Sequence, residues 1–131
     1  MGRNRSFDET EVVALCAVAF RTNGYEGTSI DDLVHATGLH RGSLYKAFGS
    51  KRGVFLLCLQ QARANEFTTD ETTDLLLVAL LEIAPRDAEI RALALELIEA
   101  STPPRTALTL GQRLLARALE PTLIAEPKES A

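Results

Sequence analysis

"GLHRGSLYKAFGSKR", residues 38–52, carries Arg41, Lys46, Lys51 and Arg52 without one acidic residue, in a chain of 131 residues whose formal net charge is −4. Leu44 and Phe48 stand four apart, so on a helix they share one side. With that side turned inward, Gly42 and Lys46 point outward, Ser43 and Tyr45 fall on the flanks, and Arg41 occupies the first turn. A guanidinium, an ammonium, a hydroxyl and a phenol then surround a glycine that permits close approach. Such a surface suits the base edges of a major groove, where arginine pairs with guanine through two hydrogen bonds and lysine does so more loosely.

The flanking sequence predicts how this short helix is held. Upstream, a helix opens at Thr28-Ser29, where a hydroxyl can cap it and Asp31 and Asp32 fill its first turn, and it ends at Gly38. Ile30, Leu33 and Val34 form its buried side. Only Leu39 and His40 separate the two helices, the spacing of a helix-turn-helix. A first helix from about Asp8 to Thr22 stops at Asn23-Gly24, with Val12, Cys16, Ala19 and Phe20 as its inner stripe. Downstream, Gly49-Ser50 breaks the chain and caps a longer helix from Lys51 to about Asn65, with Val54, Phe55, Cys58, Leu59 and Ala62 inward. Lys51 and Arg52 sit in its first turn, where the helix dipole disfavours cations; a bound phosphate would resolve that conflict.

Total charge does not argue against a polyanionic partner, because the charge is uneven. Residues 1–66 hold eight Lys/Arg against seven Asp/Glu, and residues 67–131 hold six against eleven. The cationic stretch lies in the less acidic half, and local charge steers association. The uninterrupted apolar runs, Val12 to Phe20 and Leu75 to Leu81, fall short of the roughly 20 residues of a membrane span. Arg3 and Arg5 are followed by Asp8, Glu9 and Glu11 rather than by an apolar segment, so the protein is read as cytoplasmic. Cys16 and Cys58 lie in apolar helical runs and are read as free buried thiols. The two histidines, His35 and His40, come without an HExxH, a glycine-rich phosphate loop or a nucleophile elbow. No enzyme, metal or cofactor is expected.

Residues 19–55, "AFRTNGYEGTSIDDLVHATGLHRGSLYKAFGSKRGVF", resemble the DNA-binding region of TetR-type bacterial transcriptional regulators. The resemblance rests on the Phe-x3-Gly-Tyr ending of the first helix, the Thr-Ser opening of the second, the Gly-Leu turn, the Gly-Ser-Leu-Tyr recognition helix and the Phe-x-Ser-Lys step into the fourth. It implies an all-α homodimer that places recognition helices in successive major grooves of an operator, commonly as a repressor released by a small molecule. By position, Arg41, Gly42 and Lys46 match base-contacting sites, Ser29, Ser43, Tyr45 and Lys51 match phosphate-contacting sites, and His40 matches either. Val34 stands where alanine is usual, and Arg52-Gly53 stand where an acidic residue and a better helix former are common; Arg52 thereby adds attraction for phosphate.

The second half continues the helical period, with patterns at about 72–84, 86–100 and 106–119, each closed by proline. About seven helices are thus expected in all: a helix-turn-helix domain over 1–50, a connecting helix and short dimerisation domain over 51–120, and a mobile tail over 121–131. The middle helices that wall an effector cavity in longer members are missing between Glu66 and Thr72, and no aromatic residue follows Phe67. A cavity built from Leu, Ala and Ile would take a small apolar effector. Ile90, Leu93, Ala94, Leu97 and Ile98 line one side of the penultimate helix, and Leu108, Gly111, Leu114, Leu115 and Ala118 one side of the last. Two copies of this hairpin would make a four-helix bundle; the alternative is that both stripes cover the monomer's own core. A further alternative is a protein-interaction module with an orphan helix-turn-helix.

Overall fold

Three rings anchor the fold. Phe20 lies edge-on to Phe55 with centroids 5.1 Å apart, and Tyr25 meets them at 5.8 and 5.3 Å. The computed structural model describes residues 7–120 and Thr122, so the expected tail lies almost wholly outside the described residues. Among the described residues every regular element is helical: α1 (Glu9–Asn23), α2 (Ile30–Thr37), α3 (Arg41–Phe48), α4 (Lys51–Arg63), α5 (Thr69–Val78), α6 (Ala88–Ala100) and α7 (Ala107–Leu119). The all-α expectation of about seven helices holds. None of these helices is long and apolar enough to cross a membrane.

Start signals act as the sequence proposes. Asp8 caps α1 through the amides of Thr10 and Glu11, and Ser29 and Asp32 form a reciprocal capping box on α2. α5 begins at Thr69, ahead of the expected 72, because Thr68 and Glu71 form a second such box. One hydrophobic core then runs from Val12 on α1 through Leu33, Leu44, Phe55 and Leu76 to Leu97 on α6. Cys16 and Cys58 are fully buried within it and unpaired. Burial pushes the Cys16 thiol up to about 12 and raises Cys58 as well, which leaves both inert as nucleophiles.

The last three elements depart from expectation in two ways. The helix expected over 72–84 is not continuous: α5 widens into a π-helical turn, Ala79–Ile83, and ends in a 3₁₀ turn, Ala84–Arg86, which contains Pro85. The expected dimer stripe on α6 also needs correction. Ile90 and Ala94 are fully buried and Leu97 is 2% exposed, while Leu93 and Ile98 pack partly buried on the same core. This face covers the monomer, because α4 and the π-helical turn already offer it an apolar complement.

α7 is oriented the opposite way. Its arginines turn inward: Arg113 grips the nearly buried Asp74 of α5 through Nε and Nη2 at 2.7 and 2.8 Å. Arg117 donates to the carbonyls of Asp74 and Arg21. Its apolar stripe turns outward, with Leu108, Leu114 and Leu115 at 68%, 51% and 62% exposed. No residue of α7 is buried.

Candidate nucleic-acid interface

The recognition helix is set by a glycine turn. Gly38 adopts the left-handed conformation (φ 75°, ψ 4°) and donates its N–H to the Val34 carbonyl, closing α2. Thr37 continues the turn, accepting from the Leu39 amide while its hydroxyl donates to the Leu33 carbonyl. α3 leaves this corner with Leu44 and Phe48 buried, as the four-residue spacing requires. His40, Arg41, Gly42, Tyr45 and Lys46 are exposed, and Ser43 is half-buried on the flank. The face predicted to read bases is therefore the face that is open.

His40 is the N-cap residue of α3 but contributes no side-chain cap, unlike Asp8, Ser29 and Ser50 at the neighbouring helices. The first-turn amides of α3 are left to an outside acceptor, and an anion is the natural one. At the start of α2, Ser29 accepts the Asp32 amide at 3.0 Å. Arg41 forms an ion pair with Asp31 of α2. Both partners are more than half exposed, so the pair costs little to exchange for a base edge.

The two cations that open α4 are placed differently from the sequence expectation. Lys51 donates from Nζ to the carbonyls of Tyr25 and Thr28 at 2.9 and 3.0 Å, and its charge lies 4.3 Å from the centre of the Tyr25 ring. Two of its three donors fasten the α1–α2 loop. Arg52 turns away from the α3 face altogether: it forms a two-point pair with Asp87 at 2.6 and 2.9 Å and reaches Glu89 at 2.9 Å. Its assignment to phosphate is corrected accordingly. The expected clash between these cations and the helix dipole is relieved inside the chain, by carbonyls and carboxylates. The Arg52 guanidinium holds the Asp87 carboxyl down to about 2, helped by the Ile90 amide.

Gly53, which looked a poor helix former, has a steric reason. A Cβ there would stand 2.3 Å from the Phe48 carbonyl oxygen, so the step from α3 into α4 admits no side chain.

Glu82 carries no signal in the sequence pattern. From the π-helical turn its carboxylate accepts the amides of Tyr25 and Glu26 at 3.2 and 2.8 Å, and Arg86 pairs with Glu26 at 3.1 Å. With Asp87 on Arg52, the segment from 82 to 89 grips the helix-turn-helix head at two points, the α1–α2 loop and the start of α4.

Residues 16–58 match the profile of the bacterial regulatory proteins of the tetR family. Within this segment, which holds the helix-turn-helix, the chain resembles the tetR family. An uncharacterized HTH-type transcriptional regulator of Bacillus subtilis (strain 168), YezE, is 46% identical over 56 residues, which cover 43% of this chain and 29% of the relative. The HTH-type transcriptional repressors ComR and BdcR of Escherichia coli (strain K12) are 38% and 33% identical over 60 residues, or 46% of this chain and 29% and 30% of theirs. The likeness thus spans less than a third of the length of these relatives. No solved structure matches the chain significantly.

Proposed function

We propose that the chain is a sequence-specific DNA-binding repressor that acts as a homodimer on a pseudo-palindromic operator. The observation that carries the reading is the open face of α3: Arg41, Gly42 and Lys46 exposed over a buried Leu44 and Phe48, beside uncapped first-turn amides. Arg41 and Lys46 read base edges, with Gly42 allowing the approach. Ser29, Ser43, Tyr45 and His40 hold flanking phosphates, and Lys51 contributes its remaining donor. The repressor sign follows the two Escherichia coli relatives.

The second copy docks on α7. Leu108, Leu114 and Leu115 are turned outward, and Leu81, 76% exposed, extends that surface, lining with Leu114 and Ala118 a groove of about 360 Å3. A Cβ at Gly111 would meet nothing within 4 Å, so a partner helix can approach closely there and at Ala118.

Selection of bound DNA from a random pool tests the reading. It should enrich a two-fold site whose half-site centres lie roughly 34 Å, or a multiple, apart. Arg41→Ala should then cost about 1–3 kcal/mol and relax preference at one base pair. A pool that enriches nothing even at low salt sinks the proposal and leaves the orphan interaction module.

A further inference from the structure

Between the last turn of α4, α5 and the α6–α7 connection lies a cleft of about 570 Å3, inside the roughly 300–1,000 Å3 of small-molecule sites. It is not the purely aliphatic cavity that the composition suggested. Ala62, Phe67, Leu97 and Ala100 supply an apolar lining, but three arginines, Arg63, Arg105 and Arg113, share it with threonine hydroxyls.

Two of those arginines are neutralised within the chain. Arg63 pairs with Glu96 at 2.8 Å, and Arg113 with Asp74 and, at 3.4 Å, with Asp70, the one carboxylate of the lining. Arg105 is different. Its Nε donates to Thr73 Oγ1 at 2.8 Å, its Nη1 to the Leu97 carbonyl at 3.0 Å and its Nη2 to the Thr69 carbonyl at 3.1 Å, all uncharged oxygens. It forms no ion pair among the described residues. Of five N–H donors three are engaged, which leaves one on each terminal nitrogen. Burial pulls the Arg105 pKa below its ordinary value despite the field of Asp70, as for a charge short of a counter-ion.

We propose that this cleft binds a small aliphatic carboxylate, its head on Arg105 and its tail along Phe67, Leu97 and Ala100. One uncompensated charge with a free N–H on each terminal nitrogen matches the single charge and two oxygens of a carboxylate. A phosphate would bring more charge than the site can balance and would leave the apolar lining without a contact. The site is independent of the DNA-binding reading.

Titration of sodium octanoate, octanol and inorganic phosphate into the full chain without DNA, followed by calorimetry and amide NMR shifts, decides the matter. Octanoate should bind saturably and shift Phe67, Thr73 and Arg105, while octanol and phosphate bind about tenfold more weakly or worse, the least that a charge-assisted bond contributes. Ala100 is exposed and outside the core, so Ala100→Trp should fill the cleft and weaken octanoate about tenfold with the melting temperature unchanged. Arg105→Gln should do the same; since Arg105 also ties α6 to α5, the octanol comparison and Ala100→Trp stand if that variant does not fold. Equal binding of octanoate and octanol, phosphate binding as tight as octanoate, no saturation at millimolar concentration, or an unaffected Ala100→Trp each overturns the proposal.

Discussion

α3 and α7 are both short amphipathic helices on the surface, and they are mounted with opposite polarity. α3 hides Leu44 and Phe48 and shows Arg41 and Lys46. α7 hides Arg113 and Arg117 against Asp74 and backbone carbonyls, and shows leucines. A helix that spends its charges inward gains nothing from water on its apolar side, so its exposed stripe asks for an apolar partner. A helix that shows its charges over a well-packed apolar side is the ordinary solvated arrangement; α3 stands out because that open face is cationic and His40 makes no side-chain cap. The side turned outward, rather than the composition of the helix, is the part that speaks about partners.

The largest effect should come from charging the outward stripe of α7. Leu114→Glu with Leu115→Glu would remove, from the proposed dimer, contacts worth about 1.5–3 kcal/mol per buried leucine in each copy. Sedimentation equilibrium should show a monomer and operator affinity should fall at least about a hundredfold, with thermal stability retained. A variant that stays dimeric, or one that unfolds, breaks the comparison. The inward side is probed next. Asp74→Ala strands Arg113, whose side chain is only 14% exposed, beside Asp70 alone, and should cost about 3 kcal/mol in urea unfolding. A cost below about 1 kcal/mol would mean that the arginines do not hold α7 in place.

The head can be probed through Lys51. Lys51→Met deletes two bonds to the α1–α2 loop, so stability should drop by about 1–2 kcal/mol, read by thermal melts. The slope of operator affinity against salt should change by less than the full unit expected of a lysine devoted to phosphate. A full unit with unchanged stability would mean that Lys51 serves phosphate with its whole charge rather than with one remaining donor. The smallest effect concerns acid. The folded pKa of Asp87 is depressed to about 2 from an unfolded value of about 3.9, so its contribution is complete above pH 4 and fades as pH falls towards 2. Circular dichroism of Asp87→Asn should match the parent near pH 2 and lie below it in stability at pH 5 to 7; an identical gap at both ends excludes the pairing as its source.

The helix-turn-helix was legible because its signals are local. Caps at Ser29 and Ser50, the turn at Gly38 and the spacing of Leu44 and Phe48 are set within a few residues of one another. What stayed hidden depends on distance. Periodicity gives α7 two faces but does not say which one α5 will take, and the inward choice is made by Asp74, 39 residues from Arg113. The stripe of α6 is equally periodic whether it covers its own core or a second copy. Arg52 looked like a phosphate ligand because its partners, Asp87 and Glu89, lie 35 and 37 residues further on. The π-helical turn and Arg105 left no pattern to read, since each acts through contacts between elements.

Glu82 has a consequence for anyone who would rebuild this chain. Its carboxylate, with Arg86 and Asp87, clasps backbone and side chains that belong to the family-typical segment, from outside that segment. A reading head transplanted from a relative would bring backbone amides for Glu82, but it would keep the two ion pairs only with an acidic residue at the position of Glu26 and a cation at that of Arg52. Chimeras should therefore orient their new heads properly only when the positions of Glu26 and Arg52 travel in both directions, as a lock and key exchanged together.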